Sequence, residues 1–189
     1  MRTSTGSWPV ATPKHGVRFQ GAVYRAHNPE WAWNPLSGEG AKRHGGRFNR
    51  PGVAALYTSL DLFVAVREAS PLGAPFQPIT LCEYRVDCED LFDACDPKAR
   101  SREKATLRAL QCPSWNQDML EGAVPASQQL AGRLIARGYA GMIVPSYAEG
   151  AGVEDLNLVL WHWTQRRPHR VVVFDPNQRL PRDASSWRQ

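Results

Sequence analysis

At 189 residues the chain is long enough for one domain with a core of its own and too short to need a second. Hydrophobic residues at 42% and charged residues at 22% are ordinary globular values and exclude disorder for the bulk of it. The net charge of +5 admits either a nucleic-acid footprint or a surface suited to an acidic ligand or partner. The charge is dispersed, however, and neither Arg100 to Lys104 nor Arg166-Arg167 alternates with aromatics as a single-strand binding groove would.

The first 16 residues are rich in Ser, Thr, Pro and Gly, so residues 1–17 are expected to form a flexible arm, with the folded domain over 18–180 and a tail over 181–189. The arm has no apolar run of signal-peptide length and no later run approaches transmembrane length. A cytoplasmic protein without membrane contact is expected. Cys82, Cys88, Cys95 and Cys112 show no C-x-x-C spacing and the five histidines are scattered, which suggests reduced thiols and no metal.

Gly21 to Ala26 reads as a first strand with Val23 inward and Tyr24 and Arg25 at its end. The loop after it holds Trp31 and Trp33, which either wall a pocket for a planar ring or pin the loop to the core. Arg43 to Gly52 then reads as a phosphate cradle. Gly45 and Gly46 are suited to positive φ and close backbone approach, and Arg47 offers a planar fork of donors for a diphosphate. Val53 to Tyr57 looks like a short buried strand. Thr58 with Asp61 reads as an acidic variant of the capping box, opening a helix from Leu60 to Ala69 that carries Glu68 and is ended by Pro71. A loop with paired glycines and a solvated helix glutamate satisfies the same spacing, so spacing alone does not make this a site.

Ile79 to Val86 is expected to be a strand. Asp96-Pro97 is an N-cap followed by a proline at the first helical position, opening a mostly exposed helix to about Leu110. Pro113 to Pro125 reads as a loop anchored to the core by Trp115. Ser127 reads as the cap of a helix whose Leu130, Leu134 and Ile135 face inward and which Gly138 ends. Gly141 to Ser146, Asn157 to Trp163 and Arg170 to Phe174 complete the strands. Helices punctuate these strands irregularly and no G-x-G-x-x-G fingerprint is present, so the architecture is α+β and not a doubly wound parallel sheet.

Leu36-Ser-Gly-Glu-Gly-Ala41, Gly45-Gly-Arg-Phe-Asn49, Gly52, Leu56-Tyr-Thr-Ser59 and Ala65 to Glu68 together resemble the signature of the RES-domain family. The resemblance runs from about Val23 to Trp163 and is densest between Tyr24 and Glu68. It departs from the commoner pattern at Phe48, where a tryptophan is usual, and at Arg50 ahead of Pro51. It implies a compact single domain, a mixed β-sheet core with flanking helices, similar to ADP-ribosyltransferases. It further implies a toxin of a bacterial toxin–antitoxin module, with NAD as substrate and no metal. The nicotinamide–ribose bond would be cleaved, with the ADP-ribose released by hydrolysis or phosphorolysis or transferred to a target protein. The partner implied is a cognate antitoxin with a helix-turn-helix, Xre-like domain, and no direct nucleic-acid contact by the toxin alone.

The resemblance assigns catalysis to Glu68, Arg25 and Tyr57. It assigns NAD binding to Arg25, Arg47, Gly45, Gly46, Tyr57, Ser127, Ser146 and Asn157. Arg25 and Arg47 would take the diphosphate or the neighbouring ribose, Tyr57 would pack on the nicotinamide or its ribose, and Glu68 would meet the ribose 2′-hydroxyl and the developing positive charge. Of the two serines Ser127 is preferred, since a helix N-terminus suits a ligand contact. An RNA-binding or RNA-cleaving toxin, or a non-catalytic interaction module, are the alternatives. The first accounts for the basic charge but leaves Glu68 without purpose.

Overall fold

The computed structural model describes residues 13, 15–70 and 75–185. Most of the expected arm, Pro71 as helix terminator and the last residues of the expected tail lie outside the described residues. Six strands form one mixed sheet: β1 (Val17–His27), β2 (Leu56–Ser59), β3 (Thr80–Asp93), β4 (Gly141–Pro145), β5 (Leu156–Leu160) and β6 (His169–Val173). The pairings close on themselves. β1 joins β2, β2 joins β5, β5 joins β4, β4 joins β3, and β3 returns to β1, with β6 added beside β3. Only β3 with β4 is parallel, so the α+β expectation holds and a doubly wound sheet is excluded.

β1 and β3 are both longer than the sequence suggests, because β1 serves two neighbours and β3 serves three. β3 pairs with β6 over Tyr84 to Cys88 and with β4 over Leu91 to Asp93, and the break between falls at Asp90, whose φ is 58°. Opposite it, β1 shifts register between Val17 and Phe19, a bulge that bends the pair so that one long strand feeds two segments of sheet.

Six helices flank the sheet among the described residues: α1 (Glu39–His44), α2 (Leu62–Ala69), α3 (Pro97–Glu103), α4 (Leu107–Gln111), α5 (Trp115–Leu120) and α6 (Ala126–Ala136). The expected capping box does not form. Asp61 is itself the N-cap of α2, accepting from Phe63 N at 2.8 Å and Val64 N at 3.2 Å, while Thr58 Oγ1 is turned into the sheet and donates to Leu158 O. Asp96 and Pro97 open α3 as expected, with the Asp96 side chain accepting from Lys98 N and Ala99 N. The helix expected to reach Leu110 instead breaks at Lys104, which adopts φ 50°, and restarts under the Thr106 cap. The segment expected as a loop after Pro113 contains α5.

Ser127 is not a cap: Pro125 occupies the N-cap position of α6, no side chain caps it, and Ser127 Oγ is fully buried without a hydrogen-bond partner. Gly138, at φ 89°, does follow the helix end as expected. Leu130 and Leu134 pack with Phe92, Met142 and Trp161 in one core, while Val23, Leu56, Tyr84 and Leu158 form a second on the other face of the sheet. Each fully buried Leu or Val contributes about 1.5–3 kcal/mol, so the two cores together fix the ends of β1, β2 and β5 side by side.

Candidate active site

A cleft of about 380 Å³ opens where those ends meet. Tyr24 and Arg25 come from β1, Tyr57, Thr58 and Ser59 from β2, Ala65 and Glu68 from α2, and Asn157 and Val159 from β5. Gly46 to Phe48 supply the loop wall, with Trp115 of α5 and Tyr147 just beyond β4 on the far side. The volume lies in the range of small-molecule sites, roughly 300–1,000 Å³.

The Gly46–Phe48 loop is held from beneath by Asn49, which is 1% exposed. Its amide donates to Ala41 O at 2.7 Å and Val53 O at 2.8 Å, and its Oδ1 accepts from the Tyr57 hydroxyl at 2.8 Å. That hydroxyl in turn accepts from Phe48 N at 3.0 Å. Burial pushes the Tyr57 phenol above its ordinary range, so Tyr57 presents a neutral ring to the cleft. Gly45 ends α1 at φ 74° and does not line the cleft, whereas Gly46 lines it without positive φ. What requires a glycine at 46 is space: a Cβ there would sit 2.7 Å from Tyr57 Oη and 2.9 Å from Asn49 Oδ1.

Arg47 reaches across to the end of α4, where Nη1 donates to Cys112 O at 3.2 Å and to Gln111 O. The guanidinium carbon lies 5.1 Å from the Tyr147 ring centroid and 5.9 Å from that of Trp115. Burial lowers its pKa, and the charge of Glu68 opposes that shift. Arg47 is therefore not the free fork the sequence suggests. Half of it fastens α4 and α5 as a wall, and among the described residues Nε and Nη2 make no hydrogen bond. Trp115, expected to be a core anchor, is part of that wall instead.

Glu68 is exposed on the penultimate position of α2, and its Oε1 accepts two short hydrogen bonds, from Ser146 Oγ and from Asn157 Nδ2, each at 2.6 Å. Ser146 Oγ also accepts from Ala148 N at 3.3 Å, and Asn157 Oδ1 accepts from Ser59 Oγ at 2.7 Å. Arg25 Nη1 donates to Pro35 O at 3.1 Å and Ser37 O at 3.2 Å, so this arginine pins the tryptophan loop while lining the cleft. Trp31 and Trp33 stay 44% and 36% exposed, outside the cleft, and neither is a core pin.

The structure thus gathers Glu68, Arg25, Arg47, Gly46, Tyr57 and Asn157 at one cleft, with Ser146 behind Glu68. Gly45 and Ser127 are not in its lining. The preference for Ser127 over Ser146 finds no geometric basis, since Ser127 is sealed and Ser146 holds the carboxylate. Asn49, Ser59 and Tyr147 were given no role by sequence reading. Asn49 and Ser59 carry a usable signal in closing the Gly45–Asn49 and Leu56–Ser59 signature segments, and Tyr147 in its place directly after Ser146 where β4 leaves the sheet. No group of three or more His, Cys, Asp or Glu among the described residues gathers to hold a metal ion, and no described helix is long and apolar enough to cross a membrane.

No curated protein matches the chain. Among solved structures it is similar to a chain in the crystal structure of the M. tuberculosis MbcT–MbcA toxin–antitoxin complex. The TM-score is 0.52 and the identity 21%, over 85% of this chain and 84% of the other, a likeness of fold. The RES domain family model matches residues 22–183, a span that contains every residue of the cleft; the chain belongs to the RES-domain family.

Proposed function

We propose that this protein is the toxin of a toxin–antitoxin pair and that it cleaves NAD between nicotinamide and ribose. The observation that carries the reading is Glu68, an exposed carboxylate fixed on one oxygen by Ser146 and Asn157, facing a cleft whose opposite wall is Arg47 among aromatic rings. Breaking a glycosidic C–N bond passes through an oxocarbenium-like state. A carboxylate already in place gains interaction as that charge forms, which lowers the barrier without tightening the ground state.

In this reading Glu68 meets the ribose 2′-hydroxyl and the developing charge. Tyr57 gives a flat neutral face to the nicotinamide, and Arg47, with Nε and Nη2, takes the diphosphate together with Arg25. Gly46 allows the backbone its close approach, and Asn157 and Ser146 act through the carboxylate. Ser127 contributes to the packing beneath the site and not to ligand contact. A serine nucleophile is disfavoured, because Ser146 sits behind Glu68 outside the cleft lining and no histidine among the described residues lines the cleft. The acceptor of the ADP-ribose is water, phosphate or a protein side chain.

The partner is an antitoxin with a helix-turn-helix, Xre-like domain that blocks the cleft, and the site of action is the cytoplasm, where NAD is consumed. In the MbcT–MbcA structure a chain of this fold is one component of a toxin–antitoxin complex. The RNA reading is weaker, since it leaves the fixed carboxylate of Glu68 without purpose. Incubating the purified protein with NAD should release free nicotinamide. If NAD stays intact while the protein binds RNA with steeply salt-dependent affinity, the reading is wrong.

A further inference from the structure

Glu68 stands where its own helix gives it little help. It lies at the C-terminal end of α2, where backbone carbonyls make the potential unfavourable for an anion, and its long side chain is exposed and free to change rotamer. Its position comes from the sheet. Val144, Asn157 and Ser59 are cross-strand partners, Val144 with Asn157 between β4 and β5 and Asn157 with Ser59 between β5 and β2. One strand-to-strand row therefore ends directly beside the carboxylate.

The hydrogen bonds along that row run in one direction. Ser59 Oγ donates to Asn157 Oδ1 at 2.7 Å, Asn157 Nδ2 donates to Glu68 Oε1 at 2.6 Å, and Ser146 Oγ donates to the same oxygen at 2.6 Å. An Asn side chain has one acceptor oxygen and one donor NH₂, and a half-turn exchanges them. Glu68 only accepts and so sets which end of the amide faces it, while Ser59, 3% exposed, bonds to the oxygen end and anchors the amide at the angle that aims its NH₂ at the carboxylate. With the hydroxyl gone, the amide loses that constraint. A tilted amide would lengthen the Asn157–Glu68 contact and let the carboxylate leave its position.

We infer that Ser59 is a positioning residue for Glu68, acting through the amide of Asn157 and keeping Oε2 available to a ligand; the inference rests on the NAD-cleaving reading above. In Ser59→Ala, kcat for nicotinamide release falls about 10-fold while KM stays within about 2-fold, because orientation and not binding is lost. Ser59→Thr, which keeps the donor, recovers most of the rate. Wild-type kcat in Ser59→Ala overturns the inference, and so does a raised KM with kcat intact, which would make Ser59 a direct substrate contact.

A second readout does not depend on catalysis. Ser59 and Glu68 share no hydrogen bond, so the thermal midpoint change of Ser59→Ala is additive with that of Glu68→Ala unless Asn157 couples them. The expected result is a midpoint loss smaller by about 2 °C in the Glu68→Ala background than in the wild type. Strict additivity overturns the inference whether or not NAD is cleaved. A wild type that releases no nicotinamide refutes the NAD reading, and coupling in the midpoints would then still support the positioning role.

Discussion

Replacing Glu68 with glutamine is the most informative perturbation, because it separates the charge of the carboxylate from its shape. The new side chain keeps an oxygen where Oε1 accepts from Ser146 and Asn157, both at 2.6 Å. What disappears is the charge assistance, which makes such bonds roughly twice as strong as neutral ones. Glu68 is exposed, so solvent already screens much of that gain, and the stability change should stay within about 1 kcal/mol. For a chain of this size that is a midpoint shift of about 2–4 °C. Turnover should respond on another scale. Loss of one preorganised electrostatic group opposite a developing charge lowers kcat by about 10²–10³, or roughly 2.7–4 kcal/mol. Nicotinamide release and thermal midpoint measured on the same pair of proteins, with NAD affinity by calorimetry, give the comparison. NAD affinity should be largely kept, since the interaction strengthens only in the transition state. A normally stable Glu68→Gln protein with wild-type turnover would refute the mechanism.

Other outcomes follow from the same geometry. Arg47→Ala should weaken NAD binding and loosen the α4–α5 wall, since both the guanidinium and its bonds to Gln111 O and Cys112 O are lost; Arg47→Lys should recover only part, an ammonium lacking the fork. Equal affinity in wild type and Arg47→Ala, measured by calorimetry in the Glu68→Gln background, removes Arg47 from the site. The co-purified complex with the antitoxin should hydrolyse NAD much more slowly than the free protein, and equal rates would exclude occlusion of the cleft. Far from the cleft, Arg18 and Arg167 lie 2.7 Å from Asp87 and hold its carboxyl below the usual carboxylate range, chiefly through the hydrogen bond from Arg18. A depressed carboxyl contributes stability above its unfolded pKa near 3.8 and loses it as pH falls through the folded value. The midpoint of Asp87→Asn should therefore lie below wild type at pH 7, and the gap should close below about pH 4.

The helices and strands were legible where a local cause is sufficient. Asp96 before Pro97 marks a helix start because the cap and the fixed φ act within one turn, and Gly138 marks a helix end for the same reason. Thr58 does not cap because its hydroxyl has a competing acceptor, Leu158 O, that is distant in sequence. Ser127 does not cap because the helix starts earlier, under Pro125, and packing buries the hydroxyl. Lys104 has no sequence mark of the left-handed conformation that splits α3 from α4.

The residues of the cleft divide along the same line. The chain by itself determined the α+β class, the inward faces of β1 and α6, and the segment from Tyr24 to Glu68 that carries Arg25, Arg47, Tyr57 and Glu68, because periodicity, turn residues and a dense motif are all local in sequence. Only the tertiary structure decided that Ser146, Asn157 and Ser59 hold the carboxylate, that Arg47 leans on the carbonyls of Gln111 and Cys112, and that Trp115 and Tyr147 wall the site. Those contacts join residues 64 to 98 positions apart. For Ser59 and Asn157 the geometry depends on the register of β2 against β5, and a one-residue slip in that pairing would turn one side chain to the opposite face from the other.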